Sequence, residues 1–246
     1  MRLTKHHGLG NDFLVLLDDE GTTPIDAELA RAVCDRRRGV GADGLIRVGP
    51  GLTMELRNAD GSTAEVSGNG LRCLAQAVAR SRGVDELELD VSTDAGVRHV
   101  SLHGDVASVD MGPAVDLDAP SDPDPTALKS AAVSMGNPHE VRLYAGRDEL
   151  DAAAGAFGAT DRNVEFVVAG PGPDELTMRV VERGAGETEA CGSGACAAAH
   201  AAARWGVVGS EVTVHMPGGD VAVTLGDTIT LTGPTVFVAE VEVPWL

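Results

Sequence analysis

Apolar and polar residues alternate along most of this chain. The segments LTMELRN (52–58), ELELDVST (86–93), GVRHVSLHGDVASVDM (96–111), NVEFVVAG (163–170), ELTMRVVE (175–182), EVTVHM (211–216), DVAVTLGDTITLTG (220–233) and TVFVAEVEV (235–243) carry this pattern. Period two is the mark of a half-buried strand, and the Gly, Asp and Pro residues between segments suit hairpin turns. The start, MRLTKHHGLGNDFLVLLDD, lacks the charged-then-apolar layout of a secretion signal and reads as a first strand and loop. Helical periodicity is confined to IDAELARAVCDRR (25–37), to the residues after two Gly-x-Gly turns, and to GRDELDAAAGAF (146–157). One of these helices, GACAAAHAAARWG (194–206), is small and apolar on nearly every face, so it is expected to be buried. The predicted class is α+β: a strongly curved, mostly antiparallel sheet wrapped around one central buried helix, built twice.

The second building is visible as a repeat. AEVSGNGLRCLA (64–75) and TEACGSGACAAA (188–199) share one layout at a constant offset of 124 residues, the distance from Ser67 to Cys191. At that offset Met54 pairs with Met178, Glu65 with Glu189, Gly68 with Gly192, Gly70 with Gly194, Ala75 with Ala199 and Arg80 with Arg204. A period this long exceeds that of a solenoid and predicts two homologous domains. Their expected extents are 1–114 and 115–235, with a site in the cleft between them. Met111–Ser130, rich in Pro, Asp and Ala and without periodicity, reads as the link.

Composition narrows the partners. The chain has 246 residues, 43% apolar and 23% charged, enough for a real core, while aromatics at 3% leave that core to small and β-branched side chains. A formal net charge of −19 argues against nucleic acid and anionic membrane surfaces. No apolar run approaches the length of a membrane span. The four cysteines (Cys34, Cys73, Cys191 and Cys196) form no C-x-x-C pair, and no histidine stands at zinc-finger spacing, so no metal is expected. A cytoplasmic protein with reduced thiols is the simplest account.

The two repeated turns carry the candidate chemistry. A helix N-terminus presents free N–H groups and partial positive charge, and glycines there let an anion approach the backbone. That field is expected to draw the thiol of Cys191 below its free value of about 8.5, toward a reactive thiolate. Cys34, Cys73 and Cys196 lie inside apolar helical patterns and read as buried small hydrophobes. Two acid–base groups on opposite faces of a carbon are what stereoinversion needs. The usual cofactor for removing an amino-acid α-proton is pyridoxal phosphate on a lysine. The only lysines, Lys5 and Lys129, fall in the first strand and in the link, so no cofactor is expected.

The motifs KHHGLGNDF, DRRRGVGADG, RNADGSTAEVSGNGLRC, SMGNPHEV, RNVEFV and VERGAGETEACGSGACAA, in this order over nearly the full length, resemble diaminopimelate epimerase. The resemblance implies a pyridoxal-independent, two-base epimerase that interconverts LL- and meso-diaminopimelate for lysine and cell-wall synthesis. It also implies a homodimer, and a last strand, about 236–246, that returns to the first domain. Matched motif by motif, Asn11, Asn58, Asn137, Asn163, Glu182 and Arg183 would hold the substrate. Gly68 and Asn69 on one helix, with Gly192 and Ser193 on the other, would cradle the carboxylate at the reacting centre. His139 would stand behind them. Arg183 suits bidentate carboxylate binding, and Glu182 with asparagine carbonyls suits an ammonium group. On the residues alone, the asparagines also suit turns, and Glu182 with Arg183 a surface pair. Some members carry glutamine where this chain has Gly44.

The chain departs from the family pattern at Ser67, where the first catalytic cysteine is expected. A serine hydroxyl needs an adjacent base to act, and no histidine lies in this motif. Three readings stay open: an epimerase whose cysteine was changed in the laboratory, a natural one-thiol isomerase or lyase, and a non-catalytic binder of a related amino acid.

Overall fold

The structure, a computed structural model, describes residues 1–64, 66–118, 124–158, 162–183 and 186–244. Glu65, residues 119–123 of the expected link, 184–185 of the last motif and 245–246 of the expected last strand lie outside the described residues. The chain divides into two compact units, Met1–Val109 with Gly233–Leu246, and Asp110–Thr232.

The first unit holds β1 (Arg2–Gly8), β2 (Asn11–Leu17), α1 (Ala27–Cys34), β3 (Gly44–Gly49), β4 (Thr53–Asn58), α2 (Gly68–Arg82), β5 (Glu86–Thr93), β6 (Gly96–His103) and β7 (Val106–Asp110). From β1 to β7, successive strand pairings run antiparallel, parallel, antiparallel, parallel, antiparallel and antiparallel. The second unit holds β8 (Val115–Leu117), β9 (Lys129–Ser134), β10 (Pro138–Leu143), α3 (Arg147–Ala156), β11 (Asn163–Ala169), β12 (Glu175–Glu182), β13 (Gly186–Thr188), α4 (Gly192–Arg204), β14 (Glu211–Met216), β15 (Gly219–Leu225) and β16 (Ile229–Pro234). From β9 through β10, β11, β12, β14 and β15 to β16 the pairings follow the same sequence of directions. In the first unit β17 (Val236–Glu242) flanks β1, and in the second β8 flanks β9.

Each unit wraps its strands around one helix. Helix α2 packs on β1, β2, β3, β5, β6 and β17, and α4 on β9, β10, β11, β12, β14 and β15. Alanine suits α4 for two reasons: it is the best helix former, and its methyl lets strand backbones approach from several sides. Ala195, Ala197, Ala198 and Ala199 are fully enclosed. Helix α2 ends at Gly83, whose φ of 67° is left-handed and whose N–H returns to the carbonyls of Ala79 and Arg80. No helix among the described residues is long and apolar enough to cross a membrane.

Two expectations need correction. The segment read as an unstructured link contains β8, paired antiparallel with β9, and Lys129 opens β9 rather than lying in a linker. All three side chains of β8 are exposed, so it carries no alternation of burial to read. The long segments 96–111 and 220–233 each fold as hairpins rather than single strands.

Candidate active site

In the first unit the turn before α2 is capped by Ser67, in extended conformation with φ −139° and ψ 122°. Its Oγ accepts the Gly70 N–H at 3.0 Å. Asn69, in the first turn, is buried and belongs to a chain of fixed amides. The buried Arg72 guanidinium donates to Asn69 Oδ1 at 2.8 Å, so the Asn69 amide nitrogen turns to Asn11 Oδ1 at 3.0 Å, and Asn11 donates to Asp43 at 2.9 Å. Asp43 and Asp12 are gathered by Arg36, and Lys5 bonds Asp12 at 2.8 Å. Burial pushes the Asp12 carboxyl up, but hydrogen bonds from Arg36 and Lys5 outweigh it and leave the pKa at about 2. Asn58 stands apart from this chain, its side chain donating to Ser62 Oγ at 3.0 Å across the NADGS turn. Gly44 opens β3 with no room for a side chain, since a Cβ would lie 3.0 Å from both the Arg57 carbonyl and the Phe13 ring. A glutamine at this position would require both to move.

In the second unit Cys191 caps α4 in the same backbone conformation as Ser67, with φ −131° and ψ 111°. Its Sγ accepts the Gly194 N–H at 3.4 Å and lies 3.6 Å from Ser193 Oγ. Beneath the turn, His139 Nδ1 meets Glu165 Oε1 at 2.6 Å, and both side chains are wholly enclosed. The other nitrogen, Nε2, lies 3.1 Å from Asn137 Oδ1. Asn163 Oδ1 accepts the Arg183 backbone N–H at 3.0 Å, while the Arg183 side chain is exposed. Glu182 accepts from Thr188 Oγ1. Of the residues picked from sequence, the structure joins Asn11 with Asn69, Asn137 with His139, Asn163 with Arg183, and Cys191 with Ser193. Gly68 and Gly192 begin their helices, both buried.

Strand register aligns the two units residue by residue. Gly44 lies opposite Phe13 on one side and Asn58 on the other. In the second unit Asn163 lies opposite His139, and Asn58 and Glu182 stand at the repeat offset. One turn of register further, Ile46 lies opposite Leu56 as Glu165 lies opposite Val180. Thus Phe13 and Ile46 in one unit occupy the places of His139 and Glu165 in the other. Ile46 and Glu165 each press on the matching helix turn: a Cβ on Gly70 would lie 3.1 Å from Ile46 Cδ1, and one on Gly194 would lie 2.6 Å from Glu165 Oε1.

These neighbours overturn the expected low thiol pKa. Burial drives the Cys191 pKa well above the usual thiol value, the charges of Glu182 and Glu165 add to it, and the Gly194 N–H and Ser193 hydroxyl offset only part. The thiol is 6% exposed. A helix N-terminus favours thiolate, but desolvation and two carboxylates win here. Burial also pushes Cys34 and Cys73 up to about 12, which suits core residues.

The donor atoms of His139, Glu165 and Cys191 lie within 4.8 Å of one another. The His139–Glu165 contact is a hydrogen bond, shorter than the roughly 3.3 Å that separates two ligands of one tetrahedral zinc at about 2.0 Å each. Lys5 and Lys129 are engaged, with Asp12 and with the Trp205 carbonyl at 3.3 Å respectively. Sequence reading missed Glu165, Arg72 and Asp43. A signal existed for the first two, since each is a charge inside an otherwise apolar buried element.

The family profile of diaminopimelate epimerase matches residues 3–117 and 131–238. The diaminopimelate epimerase of Desulfitobacterium hafniense is 38% identical over 97% of this chain and 96% of its own, and that of Moorella thermoacetica 39% identical over 99% of each. The chain belongs to the diaminopimelate epimerase family. Diaminopimelate epimerases are isomerases. Among solved structures, a phenazine biosynthesis protein of the PhzF family from Bacillus anthracis superposes with a TM-score of 0.75 at 16% identity, covering 99% of this chain and 98% of its own. A hydroxyproline epimerase from Agrobacterium vitis, with trans-4-hydroxy-L-proline bound, superposes with a TM-score of 0.72 at 14% identity, covering 98% and 91%. At these identities the likeness is one of fold. Ser67, where the motif resemblance places a cysteine, caps α2 in the backbone conformation in which Cys191 caps α4.

Proposed function

We propose that this chain is a diaminopimelate epimerase in which one of two acid–base groups, Ser67, is disabled. The observation that supports the reading most is the pair of matched caps, Ser67 on α2 and Cys191 on α4, in a chain that fits the family over nearly its whole length. In this reading the free N–H groups at Gly68, Asn69, Gly192 and Ser193 hold the carboxylate of the reacting centre. Asn11, Asn58, Asn137, Asn163, Glu182 and Arg183 hold the remaining ammonium and carboxylate groups, with His139 behind them. Inversion requires both caps to address one α-carbon, one taking its proton and the other delivering a proton to the opposite face. Cys191 enters as a thiol and so is the donor in the free protein. Ser67, a weak acid whose oxygen accepts the Gly70 N–H, is a poor acceptor of a carbon-bound proton. No cofactor takes part in this scheme, and the enzyme is a cytoplasmic homodimer, which light scattering on the purified protein checks.

The test is proton NMR of LL- and meso-diaminopimelate in D₂O with the chain as it stands and with Ser67→Cys. General acid–base groups contribute about 10²–10⁴-fold, so Ser67→Cys is expected to raise α-hydrogen exchange by that order. Exchange of neither isomer by either protein would overturn the reading, and would favour a one-thiol reaction or binding of a different amino acid.

A further inference from the structure

The fold does not need a polar pair beneath the α4 turn. In the first unit the same two places are filled by Phe13 and Ile46, 4% and 0% exposed, and they pack the α2 turn without any charge. The second unit buries His139 and Glu165 there instead, at full desolvation. Replacing a buried ionisable pair by apolar residues is often neutral or stabilising, so stability alone does not account for it. The pair is also incompletely satisfied: Glu165 Oε2 is buried and has no hydrogen-bond partner among the described residues. Gly194 makes room for the pair, because any side chain there would strike Glu165 Oε1 at 2.6 Å and Cys191 Sγ at 3.2 Å. The carboxylate and the thiol therefore share the space under one helix turn.

We propose that Glu165, paired with His139, is a positioning residue for Cys191: its buried carboxylate holds the proton on the thiol, so that the second unit presents a proton donor in the free protein. The acid–base role of Cys191 rests on the function proposed above. The control of its proton does not. The groups bearing on Sγ are Glu165 from β11, His139 from β10 and Glu182 from β12. Other titratable side chains on the packed strands are engaged elsewhere: Lys129 of β9 bonds the Trp205 carbonyl beyond the last turn of α4, and His215 of β14 bonds Asp220 of β15. Glu182 ends β12 and bonds Thr188, whereas Glu165 has the orphaned oxygen and the direct approach to the turn.

The test reads alkylation of Cys191 by iodoacetamide against pH, located by peptide mass spectrometry, with no substrate present. In the chain as it stands the midpoint is expected above the ordinary thiol value of about 8.5. Glu165→Gln removes the charge and keeps the shape, and is expected to lower the midpoint by about one pH unit or more, giving roughly tenfold faster alkylation at fixed pH below both midpoints. Glu165→Asp, which keeps the charge, is expected to restore the high midpoint. The double variant His139→Phe with Glu165→Ile carries the first unit's own pair and is expected to fold and to show the lowered midpoint. A midpoint at or below about 8.5 in the unaltered chain, or one that Glu165→Gln leaves in place, overturns the proposal. If the midpoint moves as expected while no diaminopimelate exchange occurs in Ser67→Cys, the substrate reading fails and this inference stands.

Discussion

Gly194→Ala is the sharpest probe of how the α4 turn is packed, because its repeat partner supplies the control. Both Gly70 and Gly194 sit at the third position of their caps, and alanine in a helix is worth about 1 kcal/mol over glycine. At Gly70 the added methyl meets Ile46 Cδ1 at 3.1 Å and Met54 Cε at 3.2 Å, the tips of flexible side chains, and Ser67 Cβ at 3.2 Å. Small adjustments relieve those contacts, so the gain and the cost nearly cancel, within about 1 kcal/mol. At Gly194 the methyl would lie 2.6 Å from Glu165 Oε1 and 3.1 Å from its Cγ, and the carboxylate is held in place by the 2.6 Å bond to His139. Overpacking costs about 1–3 kcal/mol, and loss of a charge-assisted hydrogen bond about 1.5–3 kcal/mol. The net loss is about 2–4 kcal/mol once the helix gain is credited. At roughly 2–4 °C per kcal/mol for a chain of this size, calorimetry should find the midpoint lowered by roughly 5–15 °C for Gly194→Ala and by under about 4 °C for Gly70→Ala. Equal shifts for the two substitutions would mean that Glu165 is free to swing aside, and the packing argument would be wrong.

Two further outcomes test the first unit. His6 is fully buried on β1, and desolvation lowers its pKa from 6.5 to about 4, against the hydrogen bond to Gln76 and with help from Arg80. The unfolded imidazole takes its proton near pH 6.5 and the folded one only near 4, so acidification through that window favours the unfolded chain, by about 3 kcal/mol in all. His215, raised first by Asp220, works in the opposite sense over neighbouring pH, so urea titrations should compare the chain with His6→Gln, whose stability should lack this loss. Arg72→Met frees the Asn69 amide and, through it, Asn11; in a Ser67→Cys background this should raise KM for diaminopimelate about tenfold, as loss of an orienting charged hydrogen bond of about 1.5 kcal/mol requires, and an unchanged KM would separate the amide chain from binding.

Much of the fold was legible because its signals are local. The period-two segments, the alanine helix and the repeat offset each reflect which side chains face a core, and the strands and central helices follow from them. Strand β8 escaped because nothing on it is buried, and backbone pairing alone leaves no mark in a sequence. Residue type marks candidates where it implies chemistry, as at Cys191, Asn69 and Arg183. The site was illegible where chemistry depends on neighbours. A cap cysteine reads as a thiolate from the helix field, yet burial and the charges of Glu182 and Glu165 push its pKa up, and Glu165 lies on a strand 26 residues earlier in the chain. Only the pairing of β11 with β12 reveals that this glutamate stands where the first half has Ile46.

That alignment also bears on the proposed loss of function at Ser67. Cys191 sits over the buried pair His139 and Glu165, whose polar atoms lie within 4.8 Å of its sulfur. The turn that Ser67 caps packs on the apolar side chains of Ile46 and Met54, and its oxygen accepts the Gly70 N–H. Among the described residues no base bonds this hydroxyl, and its intrinsic acidity is too weak to supply an alkoxide near neutral pH. A thiol in the same place needs less help, because it ionises near pH 8.5 even when free and the N–H groups of α2 favour the anion. The repeat therefore predicts an asymmetry of rescue. Ser67→Cys should restore exchange without any further change, whereas Cys191→Ser should abolish it and should not be recovered by keeping His139 and Glu165 intact. Substantial α-hydrogen exchange in Cys191→Ser, read by NMR in D₂O, would mean that the His139–Glu165 pair can activate a hydroxyl, and the account of Ser67 as inert for want of such a pair would then predict a gain of exchange on building one beneath it with Phe13→His and Ile46→Glu.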